Sequence, residues 1–303
     1  MSGEDADSTG RHSLRRALTA AGAIASQGAV IAAVLYYFGM VYTRAWYGYF
    51  GVDVGMLGLS TPDYVIGSLT SSYWPVTIVL LVVLASYALR SVPLAVAVRS
   101  RRPVATLRRW TMAILISGAV LATVFALLVI VRDWLPPWLG SYMPIMLIAA
   151  VSLLGYAIAL RETYPRIFGR PGAGRRRTQS TPWLPILALL GLGFLGFSWA
   201  VGSYAHQRAI RDAHLTVETG FGARPVVLLL SVDRLAIEGG GSQVLPITTP
   251  GEKYRYAYSG LLLLARTPDR FFLIPHQWTK ANHDRVFVIS NNDNVRIDLA
   301  PHP

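Results

Sequence analysis

Five long apolar runs set the outer limits of what this chain can fold into. They cover about 18–43, 74–98, 110–131, 143–160 and 184–204. Each has the roughly 17 or more residues that a helix needs to cross a bilayer. Within them ionisable residues are nearly absent; Arg90, followed by Pro93, interrupts the second run near its far end. A hydrophobic share of 53 % against 15 % charged residues is too apolar for a soluble domain and predicts a multi-span membrane protein. The first run follows Arg15-Arg16 as a signal peptide would, but it is much longer than a signal h-region and no small-x-small cleavage site closes it, so it reads as a retained anchor. Residues 1–16 before it read as a polar, disordered cytoplasmic tail.

Charge then orients the runs. The net charge is +12. Arg11, Arg15 and Arg16, the loop from Arg99 to Arg109, and the loop from Arg161 to Trp183 with Arg175, Arg176 and Arg177 all fall on one side, whereas the other side has only Arg44 and Arg132, both at run ends. Cytoplasmic loops carry the excess of arginine, so five spans put the N-terminus in the cytoplasm and the C-terminus outside the plasma membrane. Arg175 to Arg177 then serve orientation or anionic-lipid contact. From Ala205 onward eleven basic residues face nine acidic ones, so the tail lacks the basic stripe of a nucleic-acid-binding domain. The chain has no cysteine, which excludes disulfides, thiolate catalysis and cysteine-ligated metal sites.

The stretch from Tyr36 to Ser72 is the most distinctive. Tyr36, Tyr37, Phe38, Tyr42, Trp46, Tyr47, Tyr49 and Phe50 crowd the end of the first run, where aromatic rings with a polar handle collect at the membrane–water boundary. Arg44 fits the same place, because its long stem lets the charge reach the headgroups. The extracytoplasmic loop, 44–73, continues as GVDVGMLGLS, too short and glycine-broken to span. Ser60-Thr61-Pro62-Asp63 reads as a helix start, with a cap, a first-turn proline and an acid at the positive helix end. Tyr64, Val65 and Leu69 give that helix an apolar face, so it lies on the membrane surface or packs as an ordinary loop on its neighbours.

After Tyr204 the pattern changes. HQRAIRDAH extends the fifth helix as a stalk. Residues 226–231, 234–238, 261–265, 271–274, 286–289 and 295–299 read as short strands, separated by Gly239-Gly240-Gly241, Thr267-Pro268-Asp269-Arg270 and Asn291-Asn292-Asp293-Asn294. Tyr254, Tyr256 and Tyr258 recur with period two and share one strand face. The expected fold is therefore α+β: a five-helix transmembrane bundle over 17–204, then a stalk and a small antiparallel β domain, a sandwich or open barrel, over 205–303.

Catalytic patterns are sparse. G-x-S-x-G, S-x-x-K and H-E-x-x-H are all absent. Asp53 and Asp63 are the two acids of the aromatic loop and the one carboxylate pair open to acid–base work, although each has a structural use at a turn or helix start. His276 and His283 lack a third ligand, and His206 and His214 flank the stalk, so neither a metal nor a cofactor is expected. Gln27 in the first run serves an interhelical hydrogen bond, and Gly191, Gly193 and Gly196 give the fifth run a smooth packing face. Candidate binding residues are Arg44, Trp46, Tyr47, Tyr49, Phe50, Asp53 and Asp63 in the loop, with Tyr254, Tyr256, Tyr258 and Trp278 in the tail.

The runs YFGVDVGMLGLSTPDYVIGS and YRYAYSGLLLLARTPDRFFLIPHQW are similar to recurring segments of multi-span membrane proteins from high-GC bacteria with no assigned activity. The resemblance covers about a quarter of the chain and supports the architecture alone. The function expected is that of a non-enzymatic membrane protein whose β module and aromatic loop share one face of the membrane, pack together, and bind another membrane or envelope protein, a lipid headgroup or an envelope polymer. A transport or channel component built on the small-residue fifth span is the alternative, and a membrane-embedded enzyme using Asp53 and Asp63 is the third reading.

Overall fold

The structure, a computed structural model, describes residues 4–68, 102–134, 136–140, 142–163, 183–222, 224–282 and 284–301, with isolated positions between 77 and 100. Most of the expected second span (74–98), Leu69, the loop holding Arg175 to Arg177, His283 and the side chain of Gln27 lie outside the described residues. Helix α1 spans Glu4–Tyr49. A 3-10 turn, Val54–Leu57, follows, and residues 61–68 form α2. Helix α3 spans Pro103–Ile130, α4 Met143–Thr163 and α5 Trp183–Glu218, with single turns Arg132–Trp134 and Pro137–Gly140 between α3 and α4. Six strands follow: β1 Val226–Ser231, β2 Gln243–Pro246, β3 Tyr256–Arg266, β4 Arg270–Pro275, β5 Phe287–Ser290 and β6 Val295–Ala300. The chain divides into two compact units, Met1–Ser71 with Ala205–Pro303, and Ser72–Tyr204.

Within the second unit α3 packs on α4. A Cβ on Gly118 would meet Leu154 at 3.1 Å, so glycine lets the two helices approach closely. Gly196 of α5 does the same against Leu147 of α4, and Gly193 against Val151. Of the three glycines read as a packing face, Gly196 and Gly193 thus meet α4, whereas a Cβ on Gly191 would meet nothing within 4 Å. Helices α3, α4 and α5 are long and apolar enough to cross a membrane, with mean hydropathies of 2.7, 2.2 and 2.0 over their most apolar windows. Only 6 % of that window in α3 is buried, which leaves Ile116, Leu127 and Ile130 facing outward, where lipid rather than water suits them. Among the described residues three helices meet this standard rather than the five expected; the first expected span lies inside α1 and the second falls outside the described residues.

Several boundaries differ from the sequence reading. The α1 backbone is helical from Glu4, not from residue 18; no proline precedes Pro62, so nothing stops the helix from extending backward. The loop expected over Arg99 to Arg109 is helical from Pro103, a residue suited to a first turn, and arginine propagates a helix well. The stalk does continue the fifth helix as expected, and it runs past His214 to Glu218.

The first unit holds one six-stranded antiparallel sheet of order β5-β4-β3-β1-β6, with β2 also paired to β3, one sheet rather than the two of a sandwich. β3 is long enough for β2 (against 256–259) and β4 (against 261–266) to share one edge end to end, while β1 takes the other. Val227 pairs with Leu261 and Leu229 with Tyr258, so Ser259 and Gly260 together oppose Leu228. This bulge turns the strand over. Tyr258 therefore shares a face with Leu261, Leu263, Val227 and Leu229, and Leu262 and Leu264 point to the other face. Gly260 has φ +75°, and a Cβ there would lie 2.4 Å from the Gly241 carbonyl oxygen.

Candidate functional site

The aromatic end of α1, the loop after it and the sheet form a single core. Ala45, Trp46, Tyr49 and Phe50 follow i, i+1, i+4, i+5 spacing and cover one side of the last helical turns. Val52 and Leu57 join them from the loop, Ala209 and Ala213 from the α5 extension, Phe221 from the turn beyond it, and Leu262, Leu264, Phe272, Ile274 and Trp278 from the sheet. Ala205, Ala209 and Ala213 repeat every four residues and are fully buried, so α5 contributes a flat strip that leaves room for the large rings. Phe50 is central: its ring lies 4.8 Å from that of Trp46, 5.1 Å from Trp278 and 6.0 Å from Phe221. The Trp278 indole N–H donates to the Asp284 carbonyl at 2.8 Å, which fixes the ring. Tyr42 donates to Asp212 at 3.0 Å, and Arg208 pairs with the same carboxylate at 3.1 Å, tying α1 to α5 beside the core.

Helix α2 packs against α1. A Cβ on Gly39 would stand 2.0 Å from the Tyr64 carbonyl oxygen, and the Tyr64 and Tyr36 rings meet edge-on at 5.7 Å. Of the two placements weighed from the sequence, this contact matches the packed one.

The candidate residues separate by burial. Trp46, Tyr49, Phe50 and Trp278 are core. Tyr258 is fully buried on the opposite sheet face, where its hydroxyl accepts from the Leu235 N–H at 2.6 Å and donates to the Leu235 carbonyl at 3.1 Å. That bond explains why 234–238, expected as a strand, is irregular: a side chain takes the place of a ladder partner. Tyr256 packs at the margin of the same cluster. Tyr254 precedes β3 and is half-buried, with the Lys253 ammonium 5.6 Å over its ring. Asp53 caps the 3-10 turn by accepting from Gly55 N–H at 2.8 Å. Asp63 accepts from both the backbone N–H and the hydroxyl of Ser60, at 2.8 and 2.6 Å, and these bonds hold its carboxyl below the usual range. Each acid of the loop is therefore spent on its own turn.

What stays accessible is the rim. Arg44 is exposed. Tyr47 is half-buried; desolvation raises its phenol above the ordinary value, partly offset by Arg224. Arg224, which the sequence reading passed over, places its guanidinium 4.9 Å over the Trp46 ring and donates to the Leu264 carbonyl at 2.5 Å. Burial lowers its pKa, and Tyr47 opposes the shift. On the other flank the Lys280 ammonium lies 4.7 Å over Tyr49, whose phenol is raised by desolvation and by Glu218, and the His214 ring is 5.2 Å from the same tyrosine. The rim offers cations and phenols, which suits binding of an anion better than bond cleavage. Among the described residues no three His, Asp or Glu side chains gather as metal ligands. No protein-family model, curated protein or solved structure matches this chain.

Proposed function

We propose that this chain is a non-enzymatic integral membrane protein of the plasma membrane that presents an extracytoplasmic β module to another membrane or envelope protein. In this reading five spans cross the bilayer, about 18–43, 74–98, 110–131, 143–160 and 184–204, with the N-terminus cytoplasmic. The observation that carries the reading is the shared core: a sheet joined to the aromatic end of α1 by large buried rings is held as one body with its anchor rather than tethered by a linker. Such a module displays its remaining surface in a fixed attitude, as a docking platform requires. That surface includes a cross-strand row, Arg296, Leu230, Ala257 and Leu245, on the face shared with the core. Leu245 is 60 % exposed and Leu228, next to the row, 42 %. Gly193 and Gly196 pack on α4, and Asp53 and Asp63 cap their own turns, which supports this reading over a conduit or an enzyme.

A photo-crosslinking residue at Leu245, in cells at native expression, is expected to trap one discrete envelope or membrane protein, while the same residue at Asp293 in the β5–β6 turn traps none. Equal patterns at the two positions would overturn the reading.

A further inference from the structure

We propose that Arg224 and Tyr47, with Arg44 one turn earlier on α1, bind a phosphate group at the rim of the aromatic core. Arg224 is held on two sides, by the Trp46 ring beneath it and by the Leu264 carbonyl that accepts one of its N–H groups. Both anchors are buried. A guanidinium has five N–H donors, so this arrangement aims the fork and leaves most of its donors unspent. Among the described residues no carboxylate pairs with Arg224, and the neutral Tyr47 phenol lies beside it. A partly buried arginine without a counter-ion is costly, which makes the site receptive to an external anion.

The donor set favours phosphate. The fork matches two oxygens of a phosphate in a bidentate fashion. The Tyr47 hydroxyl, beside Arg224, supplies a donor for a third oxygen. Arg44 stands three residues before Tyr47, on the same side of the helix, and is exposed. It adds a second cation, and among the described residues no acid pairs with it. The choice between a phospholipid headgroup and a soluble phosphate ester depends on depth, and there the inference rests on the span proposed above for 18–43. Arg44 then directly follows the last span residue and lies at headgroup level.

The test uses the purified full-length chain in a neutral maltoside detergent. Thermal unfolding is followed with inorganic phosphate against chloride at equal ionic strength, and with phosphatidylglycerol against phosphatidylcholine. Native mass spectrometry counts retained lipid. The wild type should be stabilised and should retain phospholipid. Tyr47→Phe, Arg44→Gln and Arg224→Gln should each weaken the effect, Arg224→Gln by about tenfold or more in affinity, as for loss of a charged hydrogen bond. Stabilisation by phosphatidylglycerol alone assigns a headgroup; stabilisation by inorganic phosphate as well assigns a soluble phosphate. Arg224→Gln also loses the Leu264 bond, so Tyr47→Phe and Arg44→Gln, which keep it, carry the test if that variant fails to fold. Equal response of folded wild type and variants to every additive overturns the proposal. The Leu245 crosslink is read independently of phosphate, so either proposal can fail without the other.

Discussion

Tyr258 shows how much one hydroxyl can do in this fold. Its ring fills the sheet core, and its oxygen closes both backbone groups of Leu235, a residue outside any strand. Tyr258→Phe keeps the ring and leaves a partly buried N–H and C=O without that partner. The expected cost is about 1–3 kcal/mol, read as a lower midpoint in thermal unfolding of the detergent-solubilised protein. An unchanged midpoint would mean that water replaces the hydroxyl. The sequence placed Tyr254, Tyr256 and Tyr258 on one strand face through their spacing; that was legible for Tyr256 and Tyr258, whereas Tyr254 precedes the strand. It did not tell whether the face is a recognition surface or a core, because alternation gives periodicity and not depth. The same limit applies to Trp46, Tyr49, Phe50 and Trp278. Their types suit an interface belt and a protein core equally well, and only the neighbours from α5 and the sheet decide. Arg224 carried no pattern at all, since its role arises from Trp46 and Leu264, both distant in the chain.

Elements were legible where one period persisted and illegible where a single residue changed it. Apolar runs of helix length gave α3, α4 and α5, and Thr267-Pro268-Asp269-Arg270 marked the β3–β4 hairpin, whereas Asn291 to Asn294 joins β5 and β6, which pair with β4 and β1 and not with each other. The bulge at Ser259-Gly260 was not visible, because glycine in a strand fits a bulge, a bend or a close approach alike. It nevertheless decides which side of β3 meets α1. Helix pairing has a comparable single-residue control at Gly39. Alanine is intrinsically the better helix former by about 1 kcal/mol. At Gly39, however, its Cβ would meet the Tyr64 carbonyl oxygen at 2.0 Å, a backbone atom that cannot swing away. Overpacking costs about 1–3 kcal/mol, so the clash outweighs the propensity. A Cβ on Gly48, in the same helix, would have nothing within 4 Å. Gly39→Ala is therefore expected to lower the unfolding midpoint, and Gly48→Ala to leave it unchanged or raise it. Equal effects at both sites would show that α1 and α2 are not in close contact.

At the scale of the whole chain, charge and hydropathy act on different questions. Hydropathy says which helices suit lipid, and α3, α4 and α5 do so by length and composition. In the proposed topology arginine placement sets which ends stay in the cytoplasm, because moving a guanidinium across the bilayer during insertion is costly. The two arguments meet at the parity of the spans. The arginines before residue 18, between Arg99 and Arg109, and between Arg161 and Arg177 fall on a common side only if two spans separate each group from the next. An odd total then puts the sheet on the opposite side from the N-terminus. The proposed span at 74–98 bears this argument, since the proposed topology needs one crossing between Tyr64 and Arg102. Alkaline phosphatase fused after Pro303 should be active and a fluorescent protein at the same point dark, whereas both reporters fused after Arg102 should give the reverse. An active fluorescent protein at Pro303 would make the number of crossings even, would move the aromatic core and its rim to the cytoplasmic face, and would require Arg44 and Arg224 to meet the inner leaflet instead.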